Sequence, residues 1–130
     1  MLAFRANGLL LEAGDALAYE EGLTSARWQV LGAVAIAGMP LTVPQIARRM
    51  GLTRQSVHTT VNRLQADGLV TRFSNAEHRR SRLVDVTDRG AQAFAALAAR
   101  QVGWSNRLAA SMELADLETA AHTLSQLCER

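Results

Sequence analysis

The stretch Leu41-Thr42-Val43-Pro44-Gln45-Ile46-Ala47-Arg48-Arg49-Met50-Gly51-Leu52-Thr53-Arg54-Gln55-Ser56-Val57 decides the fold. It opens as a helix start. Thr42 can cap the helix, Gln45 can reach back to the cap, and Leu41 can staple onto Ile46. Pro44 falls in the first turn, where a missing N–H costs nothing. Ile46, Ala47 and Met50 form the apolar side, and Gly51 can take the left-handed conformation that ends helices. Two residues later Thr53 can cap a second helix, with Leu52 and Val57 as its staple. That helix turns Val57, Val61 and Leu64 inward and stops at Asp67-Gly68. Two short helices joined by a three-residue glycine turn make a helix-turn-helix.

Beyond Gly68 the period changes from helical to alternating. Leu69, Thr71 and Phe73 oppose Val70, Arg72 and Ser74; after a polar loop, Leu83 and Asp85 oppose Arg82, Val84 and Val86. This spacing predicts a β-hairpin with a long basic tip at residues 75–81. Thr87 can then cap a long helix carrying Phe94, Leu97, Gln101, Trp104 and Leu108, and a last helix carries Leu114, Leu117, Ala121, Leu124 and Cys128. Both seams repeat at alternating steps of three and four, the spacing of a face that needs a partner. Upstream, residues 3 to 20 read as a helix with Leu10, Ala13 and Leu17 on one side. Thr24 or Ser25 can cap another through Trp28, Leu31 and Val34 to Gly38. The whole is mainly α with a small β-hairpin wing, an α+β winged helix-turn-helix in a single domain. Residues 25–87 form the lobe. The helices at 1–22 and 88–130 carry more apolar seam than so small a lobe can cover, which points to a homodimer built from both chain ends.

Charge is unevenly spread. Between Pro40 and Arg82 there are eight arginines (48, 49, 54, 63, 72, 79, 80, 82) against Asp67 and Glu77, a net of +6; the remaining residues hold six arginines and ten acids, a net of −4. A basic centre between acidic arms describes one polyanion-binding face. There is no lysine, and arginine's planar fork suits bidentate contacts to phosphate and guanine. The side of the second short helix opposite its apolar face presents Arg54, Gln55, Ser56, Thr59, Thr60 and Arg63. All six can hydrogen-bond and none is acidic; no acid occurs from Leu23 to Ala66. A merely solvated face would mix in glutamate. These residue types fit the base edges of double-stranded DNA, arginine for guanine and glutamine for adenine. The hairpin arginines Arg79, Arg80 and Arg82 suit the minor groove, whose negative potential attracts guanidinium groups. Thr42, Arg48, Arg49, Thr53 and Arg72 are the candidate phosphate contacts.

The order of elements, the run Leu52-Thr53-Arg54-Gln55-Ser56-Val57, the pair Arg79-Arg80 and the run Leu83-Val84-Asp85-Val86-Thr87-Asp88-Arg89-Gly90 resemble the MarR family of bacterial regulators. The resemblance covers nearly the whole chain. It implies a ligand-responsive repressor that binds a pseudo-palindromic operator as a homodimer. Gln55, Ser56 and Thr59 fall at base-reading positions, and Arg80 falls at the wing arginine of the minor groove. One departure is His78, which stands where the family's wing carries an aspartate, leaving Glu77 as a substitute partner for the arginine.

Other features carry less. Tyr19, Trp28, Met39 and Trp104 could line a pocket for an aromatic or phenolic effector, although aromatics on helical stripes usually serve a core. Cys128 on its leucine seam reads as a buried, inert thiol. His58, His78 and His122 lack metal-ligand spacing, so no metal or cofactor is expected, and His58 reads as a phosphate or solvent contact. No nucleophile set, carboxylate pair or phosphate loop emerges, which argues against an enzyme. A docking module without DNA is the competing class, and the clustered arginines count against it. The longest apolar run is too short to span a bilayer, an N-terminal export signal is interrupted by Glu12 and Asp15, and one cysteine permits no internal disulfide. The expectation is a cytoplasmic protein away from membranes.

Overall fold

The computed structural model describes residues 1–130, which form two units, Met1–Ala98 and Ala99–Arg130. In the first unit, α1 (Leu2–Ala18) leads through a single 3-10 turn to α2 (Ser25–Ala37). Strand β1 (Leu41–Thr42) and helices α3 (Val43–Met50) and α4 (Arg54–Ala66) follow, then β2 (Val70–Phe73) and β3 (Leu83–Val86). Helix α5 (Asp88–Ala109) starts in this unit and runs into the second, where α6 (Leu114–Cys128) follows. No helix is long and apolar enough to cross a membrane.

Helix α2 is the hub. It touches α1, α3, α4 and β3, and it buries Val30, Leu31, Gly32, Ala33 and Val34, a helix apolar on most sides being one that must be covered on most sides. Leu31, Leu41, Ile46, Leu64 and Leu97 are all essentially fully buried, each worth roughly 2 kcal/mol of transfer free energy. The caps form as their sequences dictate. The Thr42 N–H donates to Gln45 Oε1 at 2.8 Å while the Gln45 N–H donates to Thr42 Oγ1 at 3.4 Å, closing a capping box. Gly51 ends α3 at φ 64°, a left-handed conformation that favours glycine. Thr24, not Ser25, caps α2; Ser25 is buried, and its N–H donates to the Asp15 carboxylate at 2.6 Å, tying α1 to the start of α2.

Three details depart from the sequence expectations. The hairpin is one part of a three-stranded antiparallel sheet of order β1-β3-β2, with Leu41 opposite Val84 and Arg72 also opposite Val84 on the other edge. Two residues show no period, so β1 was invisible locally. Leu69 belongs to the turn, its N–H donating to the Leu64 carbonyl, and so both Leu69 and Val70 are buried where alternation would separate them. In α1 the buried residues are Gly14 and Ala18, while Leu10 is 54% exposed.

The start of α5 explains the run Val86-Thr87-Asp88-Arg89-Gly90. The Thr87 hydroxyl donates to the Gly68 carbonyl at 2.6 Å and accepts from the Gly90 N–H at 3.1 Å, so one side chain caps the helix and fixes it to the end of α4. A Cβ on Gly90 would overlap the Leu69 carbonyl, so only glycine fits there. In the second unit, α6 buries no residue, and Cys128 is exposed rather than buried, because within one chain nothing covers its seam.

Candidate nucleic-acid interface

Helix α4 buries Val57, Val61 and Leu64, and this choice orients everything else on it. At 100° per residue, Gln55 and Thr59 point directly away from the buried stripe. Ser56, Thr60 and Arg63 lie along one edge; Arg54, His58, Asn62 and Gln65 lie along the other, spaced 4, 4 and 3. All are exposed except Thr60, which is half-buried. The absence of any acid here leaves the positive end of the helix unopposed.

The hydroxyls are held in place by the backbone. Thr53 Oγ1 accepts from the Ser56 N–H at 3.1 Å, and Ser56 Oγ donates to the Thr53 carbonyl at 3.0 Å. Thr59 Oγ1 donates to the Gln55 carbonyl at 3.1 Å and Thr60 Oγ1 to the Ser56 carbonyl at 2.9 Å. Each keeps lone pairs free to accept from a base amine. Arg63 sits apart from the others, with its Nε donating to Asp67 Oδ2 at 3.2 Å; Arg27 Nη1 lies 3.6 Å from the same oxygen. Arg63 therefore faces a separate cleft of about 740 Å³ that it shares with Glu21, Asp67, Arg89 and Gln92. Thr42 and Thr53 spend their hydroxyls as helix caps, and Arg48 and Arg49 are exposed in the last turn of α3.

The wing is shaped by its own turn chemistry. Asn75 Oδ1 accepts from the Glu77 N–H at 3.1 Å, and the Ser81 N–H donates to the His78 carbonyl at 3.1 Å. Glu77 makes no ion pair with the wing arginines, so it does not take over the missing aspartate's part; Asn75 orders the tip instead. Arg79 and Arg80 are exposed. Between α4 and the wing lies a cleft of about 420 Å³ whose walls carry Arg54, His58 and Asn62 on one side and Arg72, Arg80 and Arg82 on the other. Burial, and after it the charge of Arg82, holds the Arg72 guanidinium below the usual arginine value. Arg72 stays protonated nonetheless. Asn62 and Gln65 were missed in the sequence, although with His58 they form a polar row at helical spacing beside Arg54. Their relation to the wing was hidden.

The aromatic residues named for an effector pocket are scattered. Tyr19 is 80% and Met39 55% exposed, while Trp28 is half-buried against the core; none of them lines either cleft described above. Trp104 is half-buried in the second unit.

A MarR family profile matches residues 21–81. An uncharacterized protein of Mycobacterium tuberculosis is 39% identical over 124 residues, 95% of this chain and 85% of that protein. The transcriptional activatory protein BadR of Rhodopseudomonas palustris is 31% identical over 97 residues, 73% of this chain and 55% of BadR. Among solved structures, CouR from Rhodococcus jostii RHA1 bound to p-coumaroyl-CoA matches at TM-score 0.87 and 23% identity, over 98% of this chain and 89% of that one. The S. aureus MepR–DNA complex matches at TM-score 0.86 and 18% identity, over 98% and 94%. The helix-turn-helix and most of the basic wing thus lie inside a match to the MarR family over residues 21–81, and the chain shares the fold of solved MarR-family regulators.

Proposed function

We propose that the protein is a cytoplasmic, non-enzymatic repressor that binds a pseudo-palindromic operator as a homodimer and releases it on binding a small aromatic or phenolic effector. The observation that carries this reading is the acid-free outer face of α4, with Gln55 and Thr59 at its centre and the wing arginines beside it. In it Gln55, Ser56, Thr59, Thr60 and Arg54 read base edges in the major groove, and Arg79, Arg80 and Arg82 enter the minor groove. Arg48 and Arg49 meet phosphates, with Thr42 and Thr53 contributing through the helix ends they cap. Arg63 joins them once its hold on Asp67 is exchanged for DNA. Residues 1–22 and 88–130 make the dimer interface and residues 25–87 the DNA-binding lobe. The exposed apolar side chains of α1 and α6, among them Phe4, Leu9, Leu124 and Leu127, support that division.

The small-molecule complex of CouR supports an effector, and the description of BadR as an activatory protein favours a second reading in which the bound dimer recruits rather than blocks transcription. The test is fluorescence anisotropy on duplex DNA from the promoter region of its own gene, titrated with salt, with Arg80→Ala alongside. A steep salt slope and a loss of about tenfold or more on Arg80→Ala are expected. Equal, weak binding to that duplex and to random DNA, unmoved by the substitution, would sink the operator reading.

A further inference from the structure

The sequence alone counts Arg72 among the phosphate contacts, but its surroundings describe a different task. From β2 the side chain reaches back to α4, and Nη1 donates both to Asn62 Oδ1 at 2.7 Å and to Gln65 Oε1 at 3.2 Å. A second tie runs within the wing, where Arg82 Nη2 donates to the Arg72 carbonyl at 3.2 Å. Residue 72 thus joins three pieces of chain: the wing-facing edge of α4 through its side chain, β2 through its own backbone, and the segment entering β3 through Arg82. Hydrogen bonds from a guanidinium to neutral amides are charge-assisted, stronger than ordinary ones, and directional because the fork is planar. A guanidinium serving mainly as a phosphate contact would keep its nitrogens turned out to solvent; this one is half-buried, and its Nη1 is committed inward to two amide oxygens.

We propose that Arg72 is a positioning residue: with Asn62 and Gln65 it forms a strut that sets the spacing between α4 and the wing. The strut holds open the 420 Å³ cleft, so that Arg54 and His58 on one wall and Arg80 and Arg82 on the other face a single space. That space seats one backbone phosphate, the one lying between the groove that α4 enters and the groove that the wing enters. The phosphate step rests on the operator reading above; the strut does not.

The test therefore has two arms, using the full-length protein with Arg72→Gln, Arg72→Lys and the uncharged pair Asn62→Ala/Gln65→Ala. Hydrogen exchange of residues 70–86 is followed in the free protein, and anisotropy is measured on the promoter duplex across salt concentrations. Arg72→Gln and the uncharged pair are expected each to speed exchange in the wing and to weaken DNA binding by about tenfold, the equivalent of one charge-assisted hydrogen bond. Combining them adds nothing further, since they break one strut, and Arg72→Lys does not rescue, because Nζ stands one bond short of the Nη1 position from which both amide oxygens are reached. The proposal is overturned if the uncharged pair leaves exchange unchanged while Arg72→Gln lowers the salt slope by about one phosphate and Arg72→Lys restores it. Faster wing exchange in a protein whose wild type ignores the promoter duplex keeps the strut and removes the operator reading instead.

Discussion

Helices α4 and α6 carry the same kind of apolar pattern and meet opposite ends. Val57, Val61 and Leu64 of α4 are fully buried, whereas α6 buries nothing, with Leu114 69%, Leu124 61% and Leu127 69% exposed. The difference does not lie in the helices themselves. Helix α4 has α2, α3 and β2 of its own chain against its stripe. Helical spacing states that a face wants a cover; whether the cover lies in the same chain is decided by where the rest of the chain goes. The first turns of α1 repeat the lesson, since Leu2 and Phe4 are more than four-fifths exposed. An apolar surface of this kind marks an interaction site, in accord with the proposed homodimer.

The most forceful way to break this contrast is inside the covered region. Gly90→Ala places a methyl group against the Leu69 carbonyl, where neither backbone can yield, and on the order of 4 kcal/mol of stability should be lost. Denaturant melts of the two proteins check this; an unchanged midpoint would mean that α5 and the turn at Leu69 can separate freely. The next change sharpens the contrast from the uncovered side. Leu124→Asp with Leu127→Asp should cost roughly 3 kcal/mol of association while leaving the secondary structure of the lobe intact. Sedimentation velocity should then show a shift from dimer to monomer. A fall in stability with no change in mass would assign α6 to the interior of a single chain.

The smallest expected effect tests a local device. Thr53→Ala removes the oxygen that accepts from the Ser56 N–H and should cost about 1 kcal/mol, with a frayed first turn in residues proposed to face DNA, Arg54 to Ser56. Its thermal shift should be well below that of Gly90→Ala, and its DNA affinity should fall more than its stability alone would explain.

Much of this protein was legible along the chain. Caps at Thr42 and Thr53, the stop at Gly51, the buried stripe of α4 and the acid-free face opposite it are each set within a few residues, by hydrogen bonds or spacings that a short peptide already contains. The helix-turn-helix follows from those local signals in their order. What depended on distant segments was not legible. Strand β1 exists because Leu41 meets Val84, Asp15 holds the start of α2 through Ser25, and Cys128 is exposed because no part of its own chain covers α6. Arg72 shows the boundary best. Its charge marked it for phosphate, and only the folding of β2 onto α4 turned its guanidinium toward Asn62 and Gln65. Residue type states which bonds a side chain is able to make, while closure of the chain chooses which partner arrives within 3 Å.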